Sequence, residues 1–313
     1  MRNEFAKAIE RIASKDDRIV FLTGDLGYNA LENVRIVLKD RFINAGVAEQ
    51  NMITIAAAMA SQGLIPICYS IAPFCVFRPY EQIKVDVCLH NANVKIVGNG
   101  GGYGYGIMGS THHALEDLAA MRVLPNMRSY IPTFAEDVPQ AVEAMILQDG
   151  PGYLRLNLAA KLPQIQPITR PPFSTWRKLS DGASAVAIVC GPVVDRVLEI
   201  DAELLRNYSI WLMSELPHGM IPDRLVAEIT AHQTLVTIEE HVGPGGIGEA
   251  IAAELMDRGI LCRNFRRLRA NHYPSGRYGS QRWHQNENSL GGVGLVTALT
   301  DTLENRRAAT NRR

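Results

Sequence analysis

The chain has 313 residues, of which 47% are hydrophobic and 20% are charged. This balance is typical of a soluble globular protein with room for about two domains of roughly 150 residues each. Thirty-two basic and thirty-two acidic residues give a formal net charge of zero, which argues against nucleic acid or an anionic membrane as a partner. Five cysteines without metal-binding spacing, no apolar signal core and no long apolar run predict a cytoplasmic protein with reduced thiols.

Short apolar runs alternate with helical patterns along the first half of the chain. Such alternation predicts βαβ units around a parallel sheet. We expect one α/β domain over residues 1–160. Its predicted strands are 19–24, 65–70, 94–98, 128–131 and 153–156, and its predicted helices are 49–62, 80–91, 114–122 and 135–148.

Residues 161–182 interrupt this pattern. The stretch contains four prolines and is interpreted as an interdomain linker. The alternation then resumes, so residues 183–313 are predicted to form a second, smaller α/β domain. The fold class is therefore α/β, with two parallel-sheet domains. The strands predicted for the second domain are 185–191, 209–213 and 235–241, and the helices are near 193–205 and 247–258.

A carboxylate stands at the start of a very apolar predicted helix. Residues 43–63 read INAGVAEQNMITIAAAMASQG, in which Glu49 precedes a segment rich in alanine and methionine. A charge in this position must be solvated, paired or kept for chemistry. The simpler alternative is that Glu49 only favours its helix N-terminus, an effect worth about 0.3–1 kcal/mol.

The most unusual composition is the glycine-rich stretch VGNGGGYGYGIMGSTHHALED, residues 97–117. Its glycines formally match G-x-G-x-x-G, but no helix opens at once and no acid follows at the end of a second strand, which argues against a dinucleotide site. Adjacent histidines such as His112 and His113 rarely share one metal. Two interpretations stay open: a ligand-binding loop at a strand's carboxyl end, or a turn with solvent-exposed histidines.

Three motifs, in this order, resemble the C-terminal half of a transketolase. GVAEQNM (46–52) resembles the strand-to-helix motif with the family's glutamate for thiamine diphosphate, and GSTHHALEDLAAMRVLPNM (109–127) resembles its histidine motif. LVTIEEHVGPGGIGEAIAAEL (235–255) resembles a strand, loop and helix of the C-terminal domain. The resemblance covers nearly all of residues 1–300. It implies a thiamine pyrimidine-binding domain over 1–160 and a transketolase C-terminal domain over 183–313.

The resemblance also implies a set of cofactor-binding residues. Glu49 matches the glutamate that acts on the aminopyrimidine ring of thiamine diphosphate, a role favoured by a dry pocket. Phe74 lies four residues before Arg78, as the ring-stacking phenylalanine of split transketolases lies before its arginine. Asp25 follows the first predicted strand and would reach the same cofactor. Ordinary core packing for Phe74 and a plain turn for Asp25 are the alternatives.

The second motif supplies the residues expected to face the substrate. His112 matches the family's histidine near the substrate oxygen atoms, and His113 replaces the usual glutamine. Both are implied to be catalytic, each as a neutral hydrogen-bond donor or a proton shuttle near pH 7.

Three positions depart from transketolases that act on sugar phosphates. Met108 stands where those enzymes carry an aspartate that binds a donor hydroxyl, and Gly100 and Leu158 fall where they carry a histidine and an arginine for the phosphate. Leucine offers no substitute for an arginine–phosphate contact. We therefore expect a substrate other than the standard pentose phosphates, such as a sugar without a terminal phosphate.

The resemblance lacks one part of the family pattern. No G-D-G motif with a following asparagine is present, and this motif holds the diphosphate through Mg²⁺ or Ca²⁺. A separate N-terminal subunit is therefore implied to carry the pyrophosphate-binding domain and the metal, in an α2β2 heterotetramer with sugar substrates. The expected activity is two-carbon ketol transfer, active only with this partner. Alternatives are the β subunit of a 2-oxo acid dehydrogenase, a deoxyxylulose-phosphate-synthase-like enzyme, or a non-catalytic regulatory or scaffold homologue.

Overall fold

The computed structural model describes residues 1–27, 29–160, 172–271, 273 and 276–310, with side chains described as far as residue 305. The chain forms two compact units, Met1–Ala159 and Ala160–Arg313. Each contains a mostly parallel sheet with helices, so the predicted α/β class is confirmed. No helix in the described part of the chain is long and apolar enough to cross a membrane.

The first unit is built on parallel strands in the order β5-β6-β4-β3-β1-β2. Its central strands are apolar along their whole length and buried throughout, as expected for a sheet covered on both faces. The strands are β1 (Ile19–Thr23), β2 (Phe42–Asn44), β3 (Ile65–Ile71), β4 (Lys95–Asn99), β5 (Arg128–Tyr130) and β6 (Gly152–Leu156). The helices are α1 (Arg2–Ala13), α2 (Glu32–Leu38), α3 (Glu49–Ser61), α4 (Ala72–Phe77), α5 (Tyr80–Gln82), α6 (Asp117–Arg122) and α7 (Asp137–Leu147).

The register of this sheet brings the carboxyl ends of its strands to one edge. Thr23 of β1 is aligned with Asn44 of β2, and Asn99 of β4 is aligned with both Ile71 of β3 and Leu156 of β6. The loops that leave these strands carry most of the residues predicted to be functional. Open α/β sheets bind their ligands at this edge.

Two of the predicted helices in this unit differ from the structure. The segment predicted as helix 80–91 is α5 followed by a π-helix over Ile83–Cys88. The helix predicted to begin at 114 begins at Asp117. Its first residues are extended because the backbone of Ala114 exchanges hydrogen bonds of 2.8 and 2.9 Å with Gly102 in an antiparallel bridge.

The second unit has strands in the order β12-β11-β8-β9-β7, with β7 antiparallel to β9 and the others parallel. Strand β10 is a two-residue segment between β9 and α10. The strands are β7 (Trp176–Ser180), β8 (Ala185–Cys190), β9 (Tyr208–Met213), β10 (Glu215–Leu216), β11 (Thr234–Val242) and β12 (Asn264–Ala270). The helices are α8 (Val194–Leu198), α9 (Ala202–Leu205), α10 (Asp223–His232), α11 (Ile247–Asp257), α12 (Gln281–Glu287) and α13 (Gly292–Thr310).

Strand β7 lies inside the stretch interpreted as a linker, whose residues 161–171 are outside the described part of the chain. The strand buries Arg177 and Leu179 and leaves the intervening side chains partly exposed, a two-residue period that the neighbouring prolines masked. The helix predicted over 193–205 is divided into α8 and α9. The division falls at Asp201, whose carboxylate accepts a 2.8 Å hydrogen bond from the Glu203 amide and caps the second helix.

Candidate active site

The carboxylate of Glu49 is buried at the first residue of α3, directly after the loop that leaves β2. Its Oε1 accepts a 3.2 Å hydrogen bond from Ser70 Oγ, and Nη1 of Arg78 lies 2.9 and 3.0 Å from its two oxygens. A Cβ atom on Gly24 would come within 3.5 Å of Oε1, so the glycine lets β1 end close against the carboxylate. The charge of Glu49 is therefore paired and shielded rather than solvated.

An aromatic ring and a cation stand beside this carboxylate. The guanidinium carbon of Arg78 lies 3.9 Å from the centre of the Phe74 ring. The His112 ring meets the same phenylalanine at a centroid distance of 5.1 Å and an interplanar angle of 65°. The structure thus brings together four residues that lie far apart along the chain: Glu49, Phe74, Arg78 and His112.

The two adjacent histidines have different surroundings. His112 is partly exposed, and its Nδ1 lies 2.9 Å from Thr111 Oγ1. Burial, and then the nearby charge of Arg78, lower the pKa of His112, which keeps the ring neutral at neutral pH. His113 is only 1% exposed, and its Nε2 lies 2.9 Å from the Gly106 carbonyl oxygen. Of the predicted pair, His112 faces the pocket and His113 joins two parts of the loop.

The glycine-rich loop is held at both ends by polar contacts. Asn99 donates a 2.9 Å hydrogen bond to the Tyr105 hydroxyl, and Asn157 donates one of 2.7 Å to the Gly101 carbonyl. Gly100 has a φ of 80°, and a Cβ there would come within 2.2 Å of the Tyr105 ring. No other residue type fits this position without displacing the ring.

A buried ion pair supports the loop from below. Arg155 Nε lies 2.8 Å and Nη2 lies 3.0 Å from the two oxygens of Asp117, which also accepts a 2.7 Å hydrogen bond from the Tyr153 hydroxyl. Arg155 further donates to the Ala114 carbonyl at 2.8 Å. The sequence motif contains Asp117, but its partners come from β6, so only the fold reveals the network.

The residues predicted to face the substrate lie around a second pocket of about 400 Å³. Gly100 and Leu158 both line it, and Leu158 is 67% exposed. Arg2, which the sequence analysis did not single out, lines the same pocket and brings a positive charge to it. Met108 ends a short 3₁₀ turn in the glycine loop and is 54% exposed.

Asp25 lies in a different, smaller pocket of about 220 Å³. It has a φ of 59°, and its Oδ1 accepts a 2.8 Å hydrogen bond from the Asn44 side chain. The contact ties the loop after β1 to the end of β2. Among the described residues, no group of three or more His, Cys, Asp or Glu side chains could hold a metal ion.

Comparison with known proteins agrees with this arrangement. A family model described as the transketolase pyrimidine-binding domain matches residues 1–160. A transketolase family protein of Sinorhizobium fredii is 34% identical over 274 residues, which is 84% of this chain and 78% of that protein. One of the two kinds of subunit of the apulose-4-phosphate transketolase of Phocaeicola vulgatus is 30% identical over 270 residues, covering 84% of this chain and 85% of the relative.

A solved structure extends the similarity to both units. It carries the description "Split gene transketolase, inactive beta4 tetramer" and superposes with a TM-score of 0.81 at 27% identity. The match covers 97% of this chain and 98% of the other. The chain is therefore similar to a separate transketolase subunit along its whole length.

Proposed function

The chain belongs to the transketolase family, and on that premise we propose that it is the C-terminal subunit of a split, thiamine-diphosphate-dependent transketolase. The reaction transfers a two-carbon unit from a ketose or 2-oxo donor to an aldehyde or keto sugar. The observation that carries the proposal is the buried Glu49 carboxylate beside the Phe74 ring and His112.

The residues of this site fit the pyrimidine half of thiamine diphosphate. A flat, polar heteroaromatic ring needs an aromatic face and a shielded carboxylate, and Phe74 and Glu49 offer both. When bound, the cofactor supplies the nucleophilic carbon that attacks the donor carbonyl. Glu49 would hold and move a proton at the ring nitrogen it faces, and low solvent access strengthens that hydrogen bond.

His112 is placed to act on the substrate. Because its pKa is lowered, the neutral ring can donate or accept a hydrogen bond at a substrate oxygen. His113 would act indirectly, by fixing the loop that presents His112. Asp25 would support the cofactor side of the sheet edge through its contact with Asn44.

A partner subunit completes the proposed enzyme. The sequence lacks the G-D-G motif that would hold the diphosphate and Mg²⁺ or Ca²⁺, so these are assigned to an N-terminal subunit in an α2β2 heterotetramer. A similar protein is described as inactive in a β4 tetramer, which supports the need for a partner. Carbohydrate metabolism of this kind belongs in the cytoplasm, a compartment compatible with the free thiols of this chain.

The substrate is proposed to be a sugar other than the standard pentose phosphates. Met108 cannot pair with a donor hydroxyl, and Gly100 and Leu158 offer no charge to a phosphate. The name of the Phocaeicola vulgatus relative records a different sugar, apulose 4-phosphate, which supports a specialised substrate. Arg2 is the cation in this pocket that could hold an acidic group of the substrate.

The proposal is tested by reconstituting the chain with a G-D-G-containing partner. We expect thiamine-dependent transfer of a two-carbon unit between sugars, without release of carbon dioxide. Carbon dioxide release from pyruvate would favour the 2-oxo acid dehydrogenase or deoxyxylulose-phosphate-synthase-like alternative. A complex that assembles but binds no thiamine diphosphate would favour the scaffold alternative.

A further inference from the structure

Arg78 makes the same two contacts that the site offers to an aminopyrimidine ring. Its guanidinium lies over the face of Phe74 and is hydrogen-bonded to Glu49. We propose that Arg78 is an internal stand-in for the aminopyrimidine: it occupies the ring's place in the cofactor-free subunit and must leave when the cofactor binds. The inference rests on the proposed thiamine dependence and changes the role of Arg78 from a cofactor ligand to a competitor.

The shape and charge of the guanidinium make this substitution possible. A guanidinium is planar and stacks on aromatic faces, and its N–H groups suit a carboxylate. The guanidinium carbon is 3.9 Å from the Phe74 centroid, well within the range of cation–π attraction. The 2.9 and 3.0 Å contacts reach both oxygens of Glu49 from a single nitrogen. The ring face and the carboxylate cannot serve Arg78 and a pyrimidine at the same time.

The pairing explains how Glu49 is kept buried before the cofactor arrives. A buried carboxylate without a partner is costly, and Ser70 offers only one neutral hydrogen bond. Arg78 supplies the compensating charge. Its own side chain is 43% exposed whereas that of Glu49 is 3% exposed, so Arg78 is the partner that can move into solvent. An ion pair with one solvent-exposed partner is weak enough to be opened by a ligand.

The test removes the competitor and measures cofactor binding rather than turnover. In the complex with the partner subunit, Arg78→Met should bind thiamine diphosphate about three- to tenfold more tightly and faster, since no internal contact has to open. Calorimetric titration gives the affinity, and stopped-flow circular dichroism gives the association rate. The matched control is Arg11→Met, which removes a half-exposed arginine paired with Glu143 at 3.6 Å and should leave both values unchanged.

A double-mutant cycle tests the mechanism of the gain. In a Glu49→Gln background the ion pair is already lost, so adding Arg78→Met should change cofactor affinity by less than about twofold. Unchanged or weaker binding by the single Arg78→Met variant would overturn the inference, and so would an undiminished gain in the Glu49→Gln background. If the wild-type complex bound no thiamine diphosphate, the proposed function itself would fail, which is a separate result.

Discussion

Single residues at the sheet edge show what a linear motif can and cannot predict. Glu49, Phe74 and Arg78 are predictable as a group because the motifs lie next to recognisable strand ends, and the structure brings them together. The contributions of Ser70 and Gly24 to the same carboxylate are not predictable in this way. They depend on the pairing of β1 with β3, which no local pattern encodes.

Replacement of Glu49 by glutamine tests its role in proton transfer. The amide keeps the size of the side chain and can still accept from Ser70, so Glu49→Gln should fold and assemble. It cannot hold and release a proton, so turnover should fall by at least about 100-fold. Hydrogen–deuterium exchange at the thiazolium C2 of the bound cofactor is the direct measurement. Exchange at the wild-type rate in this variant would show that another group activates the cofactor.

The lowered pKa of His112 predicts a particular pH dependence. Burial and the charge of Arg78 both disfavour the protonated ring, so protonation requires a pH below the ordinary histidine value of about 6.5. kcat/KM should therefore stay level through neutral pH and fall only on the acidic side of that value. His112→Gln should remove this acidic limb along with most of the activity. A wild-type limb centred above pH 7 would contradict the assigned environment.

At the scale of elements, the sequence predicts strands better than helices. Buried strands such as β3 and β8 stand out as apolar runs, whereas β7 alternates polar and apolar side chains beside prolines. The predicted start of α6 is too early because Ala114 belongs to the bridge with Gly102. Elements after residue 258 escape prediction, because β12 carries arginines in place of an apolar run.

The ion pair beneath the glycine loop should contribute strongly to stability. Asp117→Asn would leave the Arg155 guanidinium, whose side chain is only 4% exposed, without its carboxylate partner. Loss of one member of a buried pair costs about 3–5 kcal/mol in the free energy of unfolding. Chemical denaturation measures this change. The control Glu143→Gln breaks a half-exposed pair and should cost no more than about 1 kcal/mol, and equal costs for the two variants would refute the assignment.

For the whole molecule, the family is predictable from sequence and the substrate is not. Three motifs in order identify the family because they surround a shared cofactor. The substrate pocket combines Arg2 from the first helix with Gly100 and Leu158 from two strand ends. Such a combination is assembled only by the fold, which is why Arg2 escaped the sequence analysis.

The isolated chain should not bind thiamine diphosphate tightly. It lacks the G-D-G motif, and its described residues contain no cluster suited to a metal ion, so nothing in that part of the chain grips the diphosphate. Calorimetric titration with the cofactor and magnesium should show dissociation constants well above the micromolar range. Micromolar binding by the chain alone would refute the division of the site between two subunits.

Xylulose 5-phosphate and ribose 5-phosphate should be a poor substrate pair for the assembled enzyme. Their phosphate would lack the ligands that Gly100 and Leu158 replace, so catalytic efficiency should lie orders of magnitude below about 10⁶ M⁻¹s⁻¹. Leu158→Arg should raise this efficiency, because it adds a cation to the pocket lined by both positions. The control Leu147→Arg places the same charge on another exposed leucine, outside this pocket, and should have no effect. Efficient use of these sugars by the wild type would contradict the prediction.

The bridge between Gly102 and Ala114 closes the base of the glycine loop, while Ile107 and Met108 at its tip are 72% and 54% exposed. Changes at the tip therefore leave the strand ends and the buried network in place. This makes the tip a replaceable cassette for laboratory evolution. A library restricted to positions 107 and 108 could be screened for new sugar acceptors, while the machinery that activates the cofactor is inherited intact by every clone.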